Sequence, residues 1–558
     1  MFYFVLLSTN LLEMSDLKYT IPAIFNQSVE KNWNRPAFSF VSETPYTYRE
    51  VQVLVKSLMS FLNRLGIKKS TKVAILSDNS PNWAMSYLAV TGMGAVAVPI
   101  LTGFSNTEIN NVLAHSEAKC ILVSDKYRSK IDIKDLPKLQ SIVSIDDFSV
   151  VSSPVKGVYY QYGKFENNGF KVYEDDLAAI IYTSGTTGKS KGVMLSHLNI
   201  TFNAHSAGIL QPINNKDRFL SLLPLSHTYE NTLGFILAIM NGACVYYLKQ
   251  SAAPSVLIQA MQTVRPTIIL TVPMIIEKIY KSRIAPSFSK SKIMRSLYKN
   301  KNLKLILHQI AGKKLMKSFG GKLRFFGVGG SKIDPVVEQF LLDAKVPIAI
   351  GYGLTETAPL VAGTNPQTAR HQSTGPAITG VEIKIHNQNP QTGLGEIWVR
   401  GKNVMMGYYK DAAQTEEVIT PDGWFRTGDL GMLSNDNYLY IKGRNKTMIL
   451  GSSGENIFPE DIESIINKYD HVVESLVVEK NGSIVALVHF NKEEIEQKYH
   501  DLYGKISEYT DDTIEILKKE LHQYINKQVS KYARVNRIEA QNKPFEKTAT
   551  QKIKRYLY

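Results

Sequence analysis

The stretch Leu177-Ala178-Ala179-Ile180-Ile181-Tyr182, followed by Thr183-Ser184-Gly185-Thr186-Thr187-Gly188-Lys189-Ser190-Lys191-Gly192, decides how the chain is read. Its first six residues form an unbroken apolar run of strand length, as expected of a strand covered on both faces. The second part is dense in Gly, Ser, Thr and Lys. Glycines let backbone approach a ligand closely, and successive amides and hydroxyls can bond phosphate oxygens. A Walker loop needs a glycine five positions before its Gly-Lys pair; Thr183 stands there, so that motif is missed. The whole reads as a strand feeding a phosphate-binding loop of another kind, with a mobile polar loop as the plainer alternative.

Working outward, similar short runs recur at residues 72–76, 95–100, 120–123, 267–272 and 323–328. Between them lie stretches of helical period, such as residues 79–91 and 198–210. That alternation implies α/β layers with mostly parallel sheets. After Gly375 the texture changes to short strands (381–385, 395–400, 438–441) separated by Gly, Asn and Asp turns, which suggests a small antiparallel barrel or sheet over about 375–442. A last region has strand signals of its own at residues 472–480 and 483–490. A domain boundary is expected near Lys446, dividing a domain of residues 14–445 from one of 446–558.

The chain has 558 residues, 44% hydrophobic and 21% charged. This is enough for several cores and unlike a disordered chain. Two cysteines, Cys120 and Cys244, exclude a disulfide framework and a thiolate zinc cluster, and suit a reducing cytosol. The longest apolar stretch, residues 233–240, falls far short of the ~20 residues that span a bilayer. Residues 1–7 are apolar but lack a preceding basic residue and a following cleavage site, so a signal peptide is not expected. Met14 opens a more ordinary polar start, and the first 13 residues read equally well as an extension from an upstream start codon.

The net charge of +15 is unevenly placed: residues 281–324 hold thirteen Lys or Arg and no Asp or Glu. Such a block can attract nucleic acid, anionic lipid or polyanionic small molecules, or simply be a solvated helical face. Interleaved apolar residues (Ile293, Met294, Leu297, Leu303, Leu305, Ile306, Leu315, Met316) favour an amphipathic docking region over a tail. Nucleic-acid binding would rest on charge alone, without a recognisable module, and is not expected.

Further motifs carry chemistry. In Gly351-Tyr352-Gly353-Leu354-Thr355-Glu356-Thr357, Tyr352 offers a face for stacking a base, Thr355 a hydroxyl for a phosphate and Glu356 a hard oxygen for Mg²⁺. Taken alone it could be a turn with a helix cap. In Trp424-Phe425-Arg426-Thr427-Gly428-Asp429, the acid could accept from a ribose diol or simply sit at a β-turn. Gly443-Arg444-Asn445-Lys446, Gly454-Glu455-Asn456 and Lys552 in a basic C-terminal stretch complete the set.

In order and approximate spacing, these motifs resemble the adenylate-forming superfamily of acyl-CoA synthetases, luciferase-like enzymes and adenylation domains. The likeness extends over essentially the whole chain from about Leu17. It implies a large N-terminal domain of two α/β subdomains plus a small β-barrel, and a smaller mobile α+β C-terminal domain. It further implies that Thr183, Ser184, Gly185, Thr186, Thr187, Gly188 and Lys189 wrap the ATP phosphates, with Thr183 and Glu356 near Mg²⁺. By the same likeness Gly329, Gly330 and Ser331 line an adenine pocket, Tyr352 and Gly353 flank the base, and Thr355 meets the α-phosphate. Asp429 and Arg444 match the ribose-binding pair, Lys446 the hinge, and Lys552 the catalytic lysine that bridges the substrate carboxylate and the α-phosphate. Gln551 replaces the usual glycine before that lysine.

Leu223-Pro224-Leu225-Ser226-His227-Thr228-Tyr229-Glu230 matches the segment lining the family's acyl pocket. It lacks the Asp that amino-acid-activating relatives use to hold an amine. His227 is therefore expected to abut a carboxylate, with a buried structural histidine as the alternative. The wording of this segment, and of residues 452–459, is closest to long-chain fatty acid–CoA ligases. The resemblance thus implies ATP-dependent activation of a long- or medium-chain fatty acid to acyl-AMP, then transfer to CoA. The alternatives are an acyl-AMP ligase loading an acyl-carrier protein, an aryl or small-acid CoA ligase, and a catalytically silent scaffold. The expected location is cytoplasmic, with peripheral contact to anionic membrane at its inner face through residues 281–324.

Overall fold

The computed structural model describes residues 18–166, 169–183, 190–249, 254–450, 456–496, 510–548 and 552–558. Residues 184–189 of the expected phosphate loop, Gly454, Glu455 and Gln551 lie outside the described residues.

Two eight-stranded sheets dominate. One runs Leu360–Gly363, Ile348–Gly353, Phe325–Val328, Ile268–Thr271, Arg218–Ser221, Cys244–Tyr247, Pro36–Phe40, Tyr46–Thr47. The other runs Gly407–Tyr408, Lys191–Ser196, Leu177–Thr183, Val96–Pro99, Lys72–Leu76, Cys120–Val123, Ser141–Ser144, Val150–Ser152. Their central pairs are parallel and their edge pairs antiparallel. The central strands read as unbroken apolar runs because helices cover both faces.

Two helices between the sheets explain why one core serves both. Pro81–Gly92 starts on Ser80, whose hydroxyl accepts from the Trp83 amide, with a proline in its first turn. Eleven of its residues are buried, so it is apolar all round, as a helix enclosed on every side must be. His197–Leu210 starts on a reciprocal Ser196/Asn199 cap and is almost as enclosed. A single hydrophobic core runs through both, reaching Phe38 and Val245 of one sheet and Val73 and Ala179 of the other. The far face of the first sheet has a separate core under the helices Pro254–Val264, Lys301–Ser318 and Pro335–Asp343.

The region after Gly375 is a four-stranded antiparallel sheet, Val381–His386, Gly395–Gly401, Phe425–Leu433, Leu439–Arg444. From Ile449 onward the chain builds cores of its own around the sheet Val472–Lys480, Ser483–Phe490, Arg537–Gln541 and the helix Thr510–Asn526. The apolar run at 233–240 is helical. Its first part belongs to a segment, Tyr229–Ile236, wound in the wider π form, which is uncommon and tends to occur at functional sites.

Candidate active site

The site forms where the C-terminal ends of several strands meet the antiparallel sheet. Tyr352 lies near the end of Ile348–Gly353 and is buried. Its hydroxyl donates to Oδ2 of Asp429 at 2.7 Å. Asp429 and Arg444 face one another across the register of Phe425–Leu433 and Leu439–Arg444, and Arg444 Nε lies 3.0 Å from Asp429 Oδ1. Burial pushes the Asp429 carboxyl up, while Arg444 pulls it back. The burial of Tyr352 holds its phenol protonated, so it remains a donor. Gly353 has no room for a side chain: a Cβ there would stand 1.8 Å from the Pro359 carbonyl oxygen.

The turn Thr355–Thr357 follows at once and is held from beneath. Asn203 and Asn403 are both fully buried. Each donates through Nδ2 to the carbonyls of Thr357 and Leu360, Asn203 at 3.3 and 2.7 Å and Asn403 at 3.1 and 3.0 Å. Asn203 Oδ1 also accepts from the Leu360 amide at 3.1 Å. Thr355 is thereby presented at the site with little freedom. The Glu356 carbonyl accepts from the Met405 amide at 2.9 Å, and its Oε1 accepts from the Tyr408 hydroxyl at 2.9 Å.

The opposite wall is the hairpin that carries the glycine-rich loop. Thr183 ends its strand in register with Lys191. The Lys191 ammonium lies 5.3 Å over the Tyr408 ring. Its pKa is lowered by burial and by the charge of Lys446, with Glu356 opposing. Thr183 and Glu356 are hard oxygen donors of the kind Mg²⁺ accepts. No group of three or more His, Cys, Asp or Glu that could hold a metal occurs among the described residues. One carboxylate and a hydroxyl fit an ion that completes its shell with water and substrate phosphates, which is how Mg²⁺ is usually held.

His227 and Lys552 complete the arrangement. The His227 amide donates to the Pro224 carbonyl at 2.9 Å, and its Nδ1 accepts from the Tyr229 amide at 3.2 Å. With Nδ1 an acceptor, the neutral ring carries its proton on Nε2. Burial pushes the imidazole pKa down to about 4, and the charge of Lys552 adds to that. The Thr548 amide donates to the Lys552 carbonyl at 2.7 Å. Protein surrounding Lys552 lowers its pKa, Arg444 lowers it further, and Asp429 and Glu356 oppose. Water still reaches the side chain, so it stands in an open crevice rather than in the core. Gly329 and Gly330 follow the strand Phe325–Val328, and Gly330 has φ +88°, where glycine is favoured. Ser331 is exposed beside them.

Beneath the crevice lies an apolar cavity of about 60 Å³ lined by Tyr229, Leu233 and Leu237 from one helical face and by Leu270, Gly327 and Ile350 from the sheet. The Tyr229 ring would be 3.4 Å from a Cβ on Gly329, so this ring stands between cavity and crevice. A larger open depression of about 590 Å³, against Arg64, Tyr159, Lys164 and Phe165, holds none of these groups.

Of the residues expected from sequence, His227, Glu356, Asp429, Arg444 and Lys552 come together; Tyr352 and Thr355 adjoin them, and Thr183 and Lys446 stand at the edge. Sequence reasoning missed Asn203, Asn403 and Tyr408. None of them stood out: Asn203 is one of several polar residues of its helix, with His197, Asn199, Thr201, His205 and Ser206.

The chain matches the family model described as AMP-binding enzyme over residues 25–409. It is 30% identical over 499 residues to the long-chain-fatty-acid–CoA ligase heimdall of Drosophila melanogaster, covering 80% of this chain and 72% of that one. It is 29% identical to the long-chain-fatty-acid–CoA ligase ACSBG1 of Rattus norvegicus, with 83% and 70% covered. Its fold matches the o-succinylbenzoate coenzyme A synthetase of Bacillus subtilis, solved with ATP and magnesium ion. The TM-score is 0.75 at 23% identity, with 95% and 98% of the two chains covered.

Proposed function

The chain belongs to the AMP-binding enzyme family as an AMP-forming acid–CoA ligase using ATP, Mg²⁺ and CoA, and on that premise we propose that its acid is a long- or medium-chain fatty acid. Three observations support the reading. The relatives named above are long-chain-fatty-acid–CoA ligases. The cavity below the crevice is apolar. The segment from Leu223 to Glu230 offers no aspartate to an amino acid's ammonium.

A carboxylate is inert to a thiol because expelling oxide from it is prohibitive. In the first step a carboxylate oxygen attacks the α-phosphorus of ATP; a new O–P bond forms, the bond to the β-phosphate oxygen breaks, and pyrophosphate leaves. Two anions must approach, so Lys552 is assigned to neutralise them, and Mg²⁺ supplies further charge at the phosphates. Neutral His227, with its proton on Nε2, faces the carboxylate. Asp429 accepts from the ribose and Tyr352 flanks the base. In the second step the CoA sulfur attacks the acyl carbon, the bond to AMP breaks, and the thiol proton is lost. The cluster in which Tyr352 and Arg444 both hold Asp429, with the charges of Asp429, Arg444 and Glu356 acting on Lys552, is the observation that carries this assignment.

Lys552 would have to leave before the thiol arrives. Rotation about Lys446, moving residues 446–558 against 14–445, would achieve it. In support, residues from Ile449 onward have their own cores. Surface ion pairs such as Lys332–Asp461 at 2.6 Å and Lys468–Asp334 at 3.4 Å link them to the rest.

A second reading, a smaller or aryl acid, is favoured by the cavity's narrowness, since a long chain would have to displace its lining side chains. Pyrophosphate release across acids of increasing length, with CoA and with acyl-carrier protein as acceptors, separates these readings. Turnover confined to small or aryl acids sinks the fatty-acid assignment, and a carrier protein served in preference to CoA changes the acceptor.

A further inference from the structure

The basic block at 281–324 folds into helices, and in two of them, Lys292–Lys299 and Lys301–Ser318, the outer face is exposed among the described residues. Lys301–Ser318 is set by its inner face. Gly312 lies so close to the next helix that a Cβ there would stand 2.5 Å from the Ala344 carbonyl oxygen. His308, also buried, meets Asp343 at 2.9 Å through Nδ1 and the Tyr298 hydroxyl at 3.0 Å through Nε2. These contacts fix the helix's rotation, so what it shows to solvent is built in. Leu303, Ile306 and Ile310 recur at helical spacing on the opposite side and are 37%, 52% and 48% exposed. Lys313, Lys314 and Lys317 extend the same face and are exposed. On the preceding helix, Lys292–Lys299, Ile293 is 74% exposed. Of the thirteen Lys and Arg in the block, only Arg324 pairs with a carboxylate, that of Asp217, among the described residues.

We propose that the helices Lys292–Lys299 and Lys301–Ser318 form a docking surface for an anionic lipid bilayer. Aliphatic side chains enter the boundary between headgroups and acyl chains while lysine stems extend to the phosphates. Charge complementarity selects the occupant: a patch this basic, without an acid in its sequence, is attracted only to an anionic surface. A nucleic acid is less well served, because the exposed apolar residues of this face are aliphatic and offer no ring for base stacking. The surface also leaves the crevice free. Leu220 and Ile269 point to the core under these helices, whereas Phe219, Ile268 and Leu270 point to the cavity side of the same sheet.

The test is co-sedimentation of the full chain with vesicles of phosphatidylcholine alone and with phosphatidylglycerol added, over a range of salt. The wild type is expected on the anionic vesicles only, with binding falling as salt rises. The combined Lys313→Glu, Lys314→Glu, Lys317→Glu variant should lose about a hundredfold in partitioning. The combined Leu303→Ser, Ile306→Ser, Ile310→Ser variant should bind at low salt but detach at lower salt than the wild type. Circular dichroism and pyrophosphate release, unchanged in both variants, show that they are folded. Equal binding to neutral vesicles, no binding to either, an unaffected lysine variant, or a preference for a DNA duplex over anionic vesicles would overturn the proposal.

Discussion

The phenol of Tyr352 donates to Oδ2 of Asp429, and Arg444 occupies Oδ1, so both carboxylate oxygens are engaged before any nucleotide arrives. The ring expected to flank the adenine is thus tied to the carboxylate expected to face the ribose. Each oxygen keeps a lone pair for a ribose hydroxyl, so Asp429 is held in position without being used up.

Tyr352→Phe keeps the flat ring and removes only that donor. A hydrogen bond to a charged acceptor contributes about 1.5–3 kcal/mol, part of which water restores in an open crevice. The KM for ATP should rise about tenfold, with kcat changed much less, because the loss falls on positioning of the nucleoside. Initial rates of pyrophosphate release against ATP concentration check this, and an unchanged KM would show that the link does not position the ribose acceptor.

Lys552→Ala separates the two half-reactions. The ammonium sits amid Arg444, Asp429, Glu356 and His227, where the new O–P bond would form, and nothing in the thiol step needs it there. Acyl-AMP formation should fall by at least about a hundredfold, as for loss of a main electrostatic stabiliser. Thioester formation from supplied acyl-AMP should be nearly normal. Equal damage to both steps would refute the assignment.

How much of this was legible in the sequence depends on how far apart the partners are. Lys72–Leu76, Cys120–Val123, Val472–Lys480 and Ser483–Phe490 are strands with the bounds expected from sequence, because turn residues sharply bracket their apolar runs. Asp429, Arg444 and Lys552 could be singled out only through the order and spacing of the whole set of motifs, since Asp429 alone reads as a turn acid and Lys552 alone as part of a basic tail. The hydrogen bond from Tyr352 and the shared grip of Asn203 and Asn403 were not, because each joins residues far apart in the chain. The π form of Tyr229–Ile236 left no trace either, since a shift in backbone pairing leaves the apolar composition unchanged.

Glu230, on that segment, gives a stability prediction. Burial pushes its carboxyl up to about 8, and its Oε2 has no partner. In the unfolded chain it ionises at the ordinary carboxylate value. Between those two pH values the fold holds a proton that the unfolded chain has lost. Its contribution to stability therefore falls as pH rises through that window, by at most about 1.4 kcal/mol per pH unit. Glu230→Gln keeps the shape and removes the titration. Relative to the wild type it should gain stability steadily from pH 5 to pH 8, read from urea midpoints. A difference that stays constant across that range would show that Glu230 is already ionised in the fold.

The paired asparagines predict a departure from additivity. Asn203 and Asn403 donate to the same two carbonyls, those of Thr357 and Leu360, so either can hold the turn in the other's absence. Losing Asn403 leaves both carbonyls with a donor. Losing Asn203 also removes the acceptor of the Leu360 amide and should cost more. With both gone, two buried carbonyls lose their side-chain donors, and Thr355 and Glu356 lose the footing that aims them into the crevice. Each alanine variant should lower kcat/KM for pyrophosphate release by about tenfold or less, and the double variant by clearly more than the product of the two. That excess corresponds to a coupling of about 1 kcal/mol or more, as between residues sharing one network. Simple additivity would mean that each asparagine supports the turn independently. No loss in the double variant would mean that the turn holds its shape through its own hydrogen bonds, from Thr357 Oγ1 to the Pro359 carbonyl at 2.6 Å and from the Leu354 amide to Thr357 Oγ1 at 3.0 Å.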